Sequence, residues 1–175
     1  SKGPKLWESR KEDYPAANAV SASMDDYDTN RVVVDGSTNY IAIRLPSVRT
    51  EPVQMLRTIL KSEGFMLEPT NRKWWLRDRH KTLNFLAVHW KSLEDEYEAL
   101  FTENFNTKLA GVAISALSIE AREESGGFVL DISLSAHSDE VKLSRSLASG
   151  KKYLEEGSGG ITLLEGKSIE QLHEI

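Results

Sequence analysis

The chain reads as an α+β protein, with antiparallel β-hairpins packed against helices in repeated β-β-α order, and three observations predict it. Short runs such as Tyr40 to Leu45 and Phe128 to Ala136 alternate with the period of two expected of half-buried strands. Leu83, Leu86, Trp90, Leu93, Tyr97 and Leu100 recur at spacings of three and four, which lays one apolar stripe along a helix. Pairs of strands precede helices expected to start near residues 52, 80, 139 and 168, an order that puts hairpins in one layer and helices in another. No residues match from unit to unit, so the order recurs without a sequence repeat.

Composition bounds the rest. With 175 residues, 39% hydrophobic and 28% charged, the chain can bury one good core or two small ones and is too apolar to be disordered throughout. A net charge of −5 argues against a protein that coats nucleic acid over its whole surface and leaves room for a local basic patch. The absence of cysteine removes disulfides, thiolate metal sites and cysteine nucleophiles, and fits a reducing, cytoplasmic setting. No run approaches the roughly 18 apolar residues of a membrane span, so no membrane partner is expected.

Taken in order, residues 1–30 have no period, many small residues and an acidic knot at Asp25, Asp26 and Asp28. They read as a flexible arm or linker, with Trp7 and Tyr14 as possible anchors. The α+β domain is expected over 31–175, with a sub-boundary near 102–111. Val32 to Val34 and Tyr40 to Leu45 are strands about an Asp35-Gly36 turn. Thr50 is placed as N-cap and Pro52 in the first turn of a helix burying Val53, Leu56, Ile59 and Leu60, with Gly64 just past its end.

Phe65 to Leu67 and Lys73 to Arg77 form the next two strands. Alternation directs Trp74 and Leu76 to one face and Lys73, Trp75 and Arg77 to the other. The long helix follows, then a connector whose Phe105 points inward. Val112 to Glu123 and Phe128 to Ala136 are expected to pair as a hairpin about Gly126-Gly127. Ser138 caps a surface helix through Ala148, and Lys152 to Glu155 with Ile161 to Leu164 make a last hairpin. Ser168 to Ile175 opens like a helix with a capping box to Gln171 and no C-cap, which reads, with the initial Ser, as a fragment of a longer protein.

Catalytic signatures are few. Gly166-Lys167-Ser168 imitates the end of a phosphate loop, but the first glycine of that motif would fall at Ile161, and Ser168 as a helix cap explains the same letters. The histidines at 80, 89, 137 and 173 have no metal-ligand spacing, and His89 beside Trp90 suits packing. Glu94, Asp95, Glu96 and Glu98 suit a solvated helix face better than an acid–base pair. No catalytic, metal or cofactor residue is therefore assigned.

A basic, aromatic cluster remains. Arg72, Lys73, Arg77, Arg79 and Lys81 crowd around Trp75, a combination that can hold phosphates by charge and stack a base on the indole. The same letters also suit the wet face of a strand, with Arg77 or Arg79 paired to Asp78 or to the acidic helix.

The run LEPTNRKWWLRDRHKTLNFLAVHW at 67–90, with LFTENF at 100–105, resembles a segment upstream of the ATPase core in bacterial Swi/Snf-type DNA helicases. LSRSLASGKKYLEEGSGGITLLEGKSIEQL at 143–172 is similar to the element that closes that region. The likeness extends from about Ile43 to the C-terminus and rests on whole phrases. It implies a non-catalytic accessory domain, with the ATPase motor of the same polypeptide as partner and DNA as a second candidate. ATP and Mg would belong to the motor alone, since no Walker loop is present here. A structural or protein-interaction domain without nucleic-acid contact is the alternative.

Overall fold

The computed structural model describes residues 24–25, 27–134 and 140–165. The expectations for Trp7, Tyr14, His137, Ser138, Gly166 to Ser168 and the last helix lie outside these residues. The architecture is mixed α+β. β1 (Val33–Gly36), β2 (Ile41–Arg44), α1 (Glu51–Ser62), β3 (Met66–Glu68), β4 (Lys73–Leu76) and α2 (Arg79–Asp95) follow the strand–strand–helix order twice. The order is then interrupted by β5 (Leu100–Phe101), α3 (Glu103–Lys108) and β6 (Val112–Ser115). β7 (Leu117–Glu124), β8 (Gly127–Leu134), α4 (Glu140–Ala148), β9 (Tyr153–Glu155) and β10 (Ile161–Leu164) complete the described chain. None of the helices formed by the described residues is long and apolar enough to cross a membrane.

Five strands form the first sheet in the order β3-β4-β2-β1-β5, antiparallel except for the β1–β5 pair. Asp35 and Gly36 belong to β1, and the turn falls at residues 37–40, closed by Ser37 N–H donating to Tyr40 O at 2.9 Å. Glycine is required at 36, because a Cβ there would stand 2.5 Å from Tyr40 O. Thr50 occupies the N-cap position of α1 in an extended conformation, but its side chain makes no capping hydrogen bond. Pro52 in the first turn, whose missing N–H costs nothing there, starts the helix instead. Val53, Leu56 and Leu60 are its buried face.

The apolar stripe from Leu83 to Leu100 outruns its helix. α2 ends at Asp95, Glu98 takes a left-handed φ of 48°, and the chain turns back so that Leu100 and Phe101 add a parallel strand to β1. Leu100 N–H donates to Val32 O at 2.8 Å, and Thr102 N–H to Val34 O at 3.0 Å. The stripe therefore records burial rather than helix: Tyr97 and Phe101 pack on the same core as Leu93 from a turn and a strand.

Residues 102–111, where a sub-boundary is expected, carry side chains of the main core. Thr102 caps α3 by accepting from Phe105 N–H at 3.1 Å, and Phe105 and Leu109 are buried in the same cluster as the first sheet. The second sheet, β6-β10-β9, joins that cluster through Tyr153, Ile161 and Leu163. α2 packs against β9 and β10, and Phe85, off the predicted stripe, is fully buried at 4.8 Å from Phe65. Burying each such side chain contributes about 1.5–3 kcal/mol.

The expected long hairpin from 112 divides in two. Val112–Ser115 leaves it to run parallel to β10, and only residues 117–124 and 127–134 pair, about a Ser125-Gly126 turn with Gly126 at φ 89°. α4 is pinned by Leu143, which clusters with Leu154 and Leu164 and half-buried Leu147.

Candidate functional site

Strand alternation sorts β4 as its letters require. Trp74 and Leu76 are buried in the main core, while Lys73 and Trp75 lie on the opposite face, over which β2 presents Tyr40, Ala42 and Arg44 in register. Ala42 stands opposite Trp75, and Arg44 opposite Lys73.

That face is not open, which corrects the expectation for Lys73. Residues 24, 25, 27 and 28, counted with the N-terminal arm, lie across it. Met24 is 1% exposed and clusters with Val33 and Ala42, flanked by Tyr27, Trp75 and Leu100. The Lys73 side chain is only 3% exposed, and its ammonium lies 3.3 Å from an Asp25 carboxylate that is itself 65% exposed. Arg44 donates from Nη1 to Met24 O at 2.8 Å, and from Nη2 to Tyr27 O at 2.9 Å and Asp28 O at 2.8 Å. A guanidinium fork satisfied by three carbonyls holds the segment as a strap.

Trp75 is half-buried. Its ring stacks on Tyr40 with centroids 5.9 Å apart, Arg77 lies 4.3 Å above it, and its N–H donates to Glu68 Oε1 at 3.3 Å. Arg72 sits elsewhere, at φ 60° on the β3–β4 turn, bordering a hollow of about 210 Å³ shared with Leu67 and Trp74.

Arg79 opens α2 and belongs to the fold. Its guanidinium donates to Thr38 Oγ1 at 2.9 Å and Asn39 Oδ1 at 3.3 Å and pairs with Glu155 at 2.9 Å, rather than with Asp78 or the acidic end of α2. Asp78 instead caps that helix, accepting from Lys81 N–H at 2.8 Å. Lys81 is exposed. The six candidates thus divide: Lys73, Trp75 and Arg77 share one face with Arg44 and Tyr40, Arg72 lies apart from it, and Arg79 and Lys81 stand on the first turn of α2.

Further residues escaped sequence reasoning. Tyr40 and Arg44 complete the basic, aromatic face, yet their own alternation on β2 gives no hint that β4 is the neighbouring strand. His80 and Asn84 pin α2 to the second sheet: His80 Nδ1 lies 3.0 Å from Tyr153 Oη, and Asn84 accepts from Lys152 N–H at 2.8 Å and donates to Gly150 O at 3.1 Å. His89 packs 4.8 Å from the Phe85 ring, as its place beside Trp90 suggests.

The electrostatics follow from burial. Tyr40 is held above the ordinary tyrosine range by desolvation first and the Asp35 charge second, with an Asn104 hydrogen bond opposing them. Asp35 itself is buried and held by Thr102 Oγ1 and by Asn104 Nδ2 at 3.0 Å. Beside α2 a hollow of about 480 Å³ has Leu86, Trp90 and Ile114 in its wall and Glu94, Glu96 and Glu165 among its rim residues. Among the described residues, no group of three or more His, Cys, Asp or Glu side chains is arranged to hold a metal ion.

Compared with protein-family models, curated proteins and solved structures, the chain finds no match.

Proposed function

We propose that the chain is a non-catalytic accessory module of a bacterial, cytoplasmic Swi/Snf-type DNA helicase or translocase, and that it docks on the motor by protein contact. The phrase-level resemblance at 67–90, 100–105 and 143–172 supports the helicase setting. The docking half rests on one observation. β3 ends the five-stranded sheet, and its Met66 and Leu67 are 72% and 44% exposed. An edge strand with free backbone donors and acceptors and uncovered apolar side chains is suited to adding a strand or a loop from a neighbour. In this reading ATP and Mg act only in the motor.

Two of the cations expected to grip DNA are engaged within the chain, the buried Lys73 by Asp25 and the partly exposed Arg79 by Glu155, so the chain in this state is expected to hold DNA poorly. Fluorescein-labelled single-stranded and duplex DNA, titrated with the chain at low salt, should show no salt-dependent binding. Strong binding would return DNA to the first place among partners. Docking is read separately, by hydrogen exchange at residues 66–68 in the chain alone and within its parent polypeptide. Slower exchange in the parent is expected, and equal rates would remove this edge as the docking site.

A further inference from the structure

We infer that residues 24–28 are an internal stand-in for single-stranded nucleic acid, and that lifting this strap uncovers a binding face made of Tyr40, Arg44, Lys73, Trp75 and Arg77. The inference goes beyond the docking role and needs no helicase context, because it stands on the chemistry of the face. Two cations directly opposite each other on neighbouring strands, and two stacked rings with a third cation over one of them, are what a phosphate backbone and unpaired bases require.

The strap imitates such a ligand. It brings a carboxylate to Lys73 and three carbonyl oxygens to Arg44, in the places phosphate oxygens would take. It also leaves the face incompletely satisfied. Arg44 Nε is buried with no hydrogen-bond partner, and the buried Lys73 ammonium has its one ion pair, at 3.3 Å, with a mostly exposed carboxylate. A buried donor without a partner favours any ligand that supplies one.

Besides the carbonyls on Arg44 and the carboxylate on Lys73, the strap has one apolar anchor. Among its described residues Met24 is the single buried side chain; Asp25 and Asp28 are exposed and Tyr27 half-buried. Two carboxylates oppose the reading locally: Glu68 accepts from the Trp75 N–H, and Asp35 lies on the same face but is engaged by Thr102 and Asn104. Neither meets Arg44 or Lys73. Stacked rings take unpaired bases, so a single strand is the class of ligand, and duplex is not.

The test uses the full chain with Met24→Asp, which removes the apolar anchor, and separately with Asp25→Asn, a near-isosteric change on an exposed side chain that removes the charge facing Lys73. The probe is a fluorescein-labelled oligothymidylate, with a duplex of equal length for comparison. Either folded variant should bind the single strand at least about tenfold tighter than the unaltered chain, with affinity falling steeply as salt rises. Adding Trp75→Ala should abolish the gain, and a peptide of residues 20–30 should compete with the oligonucleotide. No gain in a variant with unchanged circular dichroism, a gain that survives Trp75→Ala, or a preference for duplex would each overturn the inference. If Met24→Asp unfolds the chain, the Asp25→Asn result decides.

Discussion

Lys73 Nζ lies 3.3 Å from Asp25 Oδ1, one partner sealed beneath the strap and the other facing water. The pair joins Lys73 on a strand of the first sheet to Asp25, 48 positions earlier in the chain. It is asymmetric in a way that makes its two halves unequal in mutation. A buried ammonium that loses its counter-charge stays buried, whereas an exposed carboxylate that loses its partner is simply solvated.

Asp25→Ala is therefore expected to destabilise the chain by about 1–2 kcal/mol, below the full cost for a buried pair because water already screens the carboxylate. Lys73→Met, which replaces the charge by an apolar side chain of similar length, should change stability by less than about 1 kcal/mol. Urea denaturation of both variants checks the order. Equal losses would mean that the ammonium is better solvated than its burial implies.

Phe85 lies at ring separations of 4.8 Å from both Phe65 and His89, fully buried in the main core. Phe85→Ala should cost about 3–5 kcal/mol, since it leaves a cavity the size of a ring in the closely packed core. A loss near 1 kcal/mol in thermal or urea unfolding would show that the neighbours collapse into the space left.

Gly36→Ala introduces a methyl group 2.5 Å from Tyr40 O at the end of β1, where backbone faces backbone. The register of β1 on β2 must shift to accommodate it, and a loss of about 2 kcal/mol or more is expected. Gly126→Ala gives a comparison: nothing lies within 4 Å of its Cβ position, so its loss should reflect the φ of 89° alone and be smaller.

Tyr40 and Tyr153 are both raised above the ordinary tyrosine value, by burial first and then by Asp35 and Glu155 respectively, while Arg79 pulls Tyr153 the other way. The unfolded chain loses these protons first, near pH 10, and the folded chain only at higher pH. Their contribution is thus whole below about pH 10 and is lost as pH rises through the folded values. Tm should fall above about pH 10, and the fall should be shallower in Tyr40→Phe, Tyr153→Phe than in the unaltered chain. An identical slope would show that the phenols keep ordinary values.

Periodicity served well where a segment's neighbours lie close in the chain. The faces of β4, the buried residues of α1 and the inward Phe105 were legible because each follows from alternation or helical spacing in a few letters. The stripe past Asp95 misled, because Tyr97 and Leu100 keep an apolar spacing for reasons of burial after the helix has ended. Of the candidate site, the aromatic and cationic letters were visible, and the fate of Lys73 was not.

By itself, the sequence determined the α+β class, most strand and helix positions, and which side chains of β4 face away from the core, since these depend on the backbone's own repeat. Only the tertiary structure decided that β5 and β6 pair in parallel with distant strands, and that Met24, Asp25, Tyr27 and Asp28 cover Arg44 and Lys73. Alternation states which face a residue takes, but what lies on that face is settled by chain that returns from elsewhere. Closing those distant contacts is an entropic cost that no local pattern records.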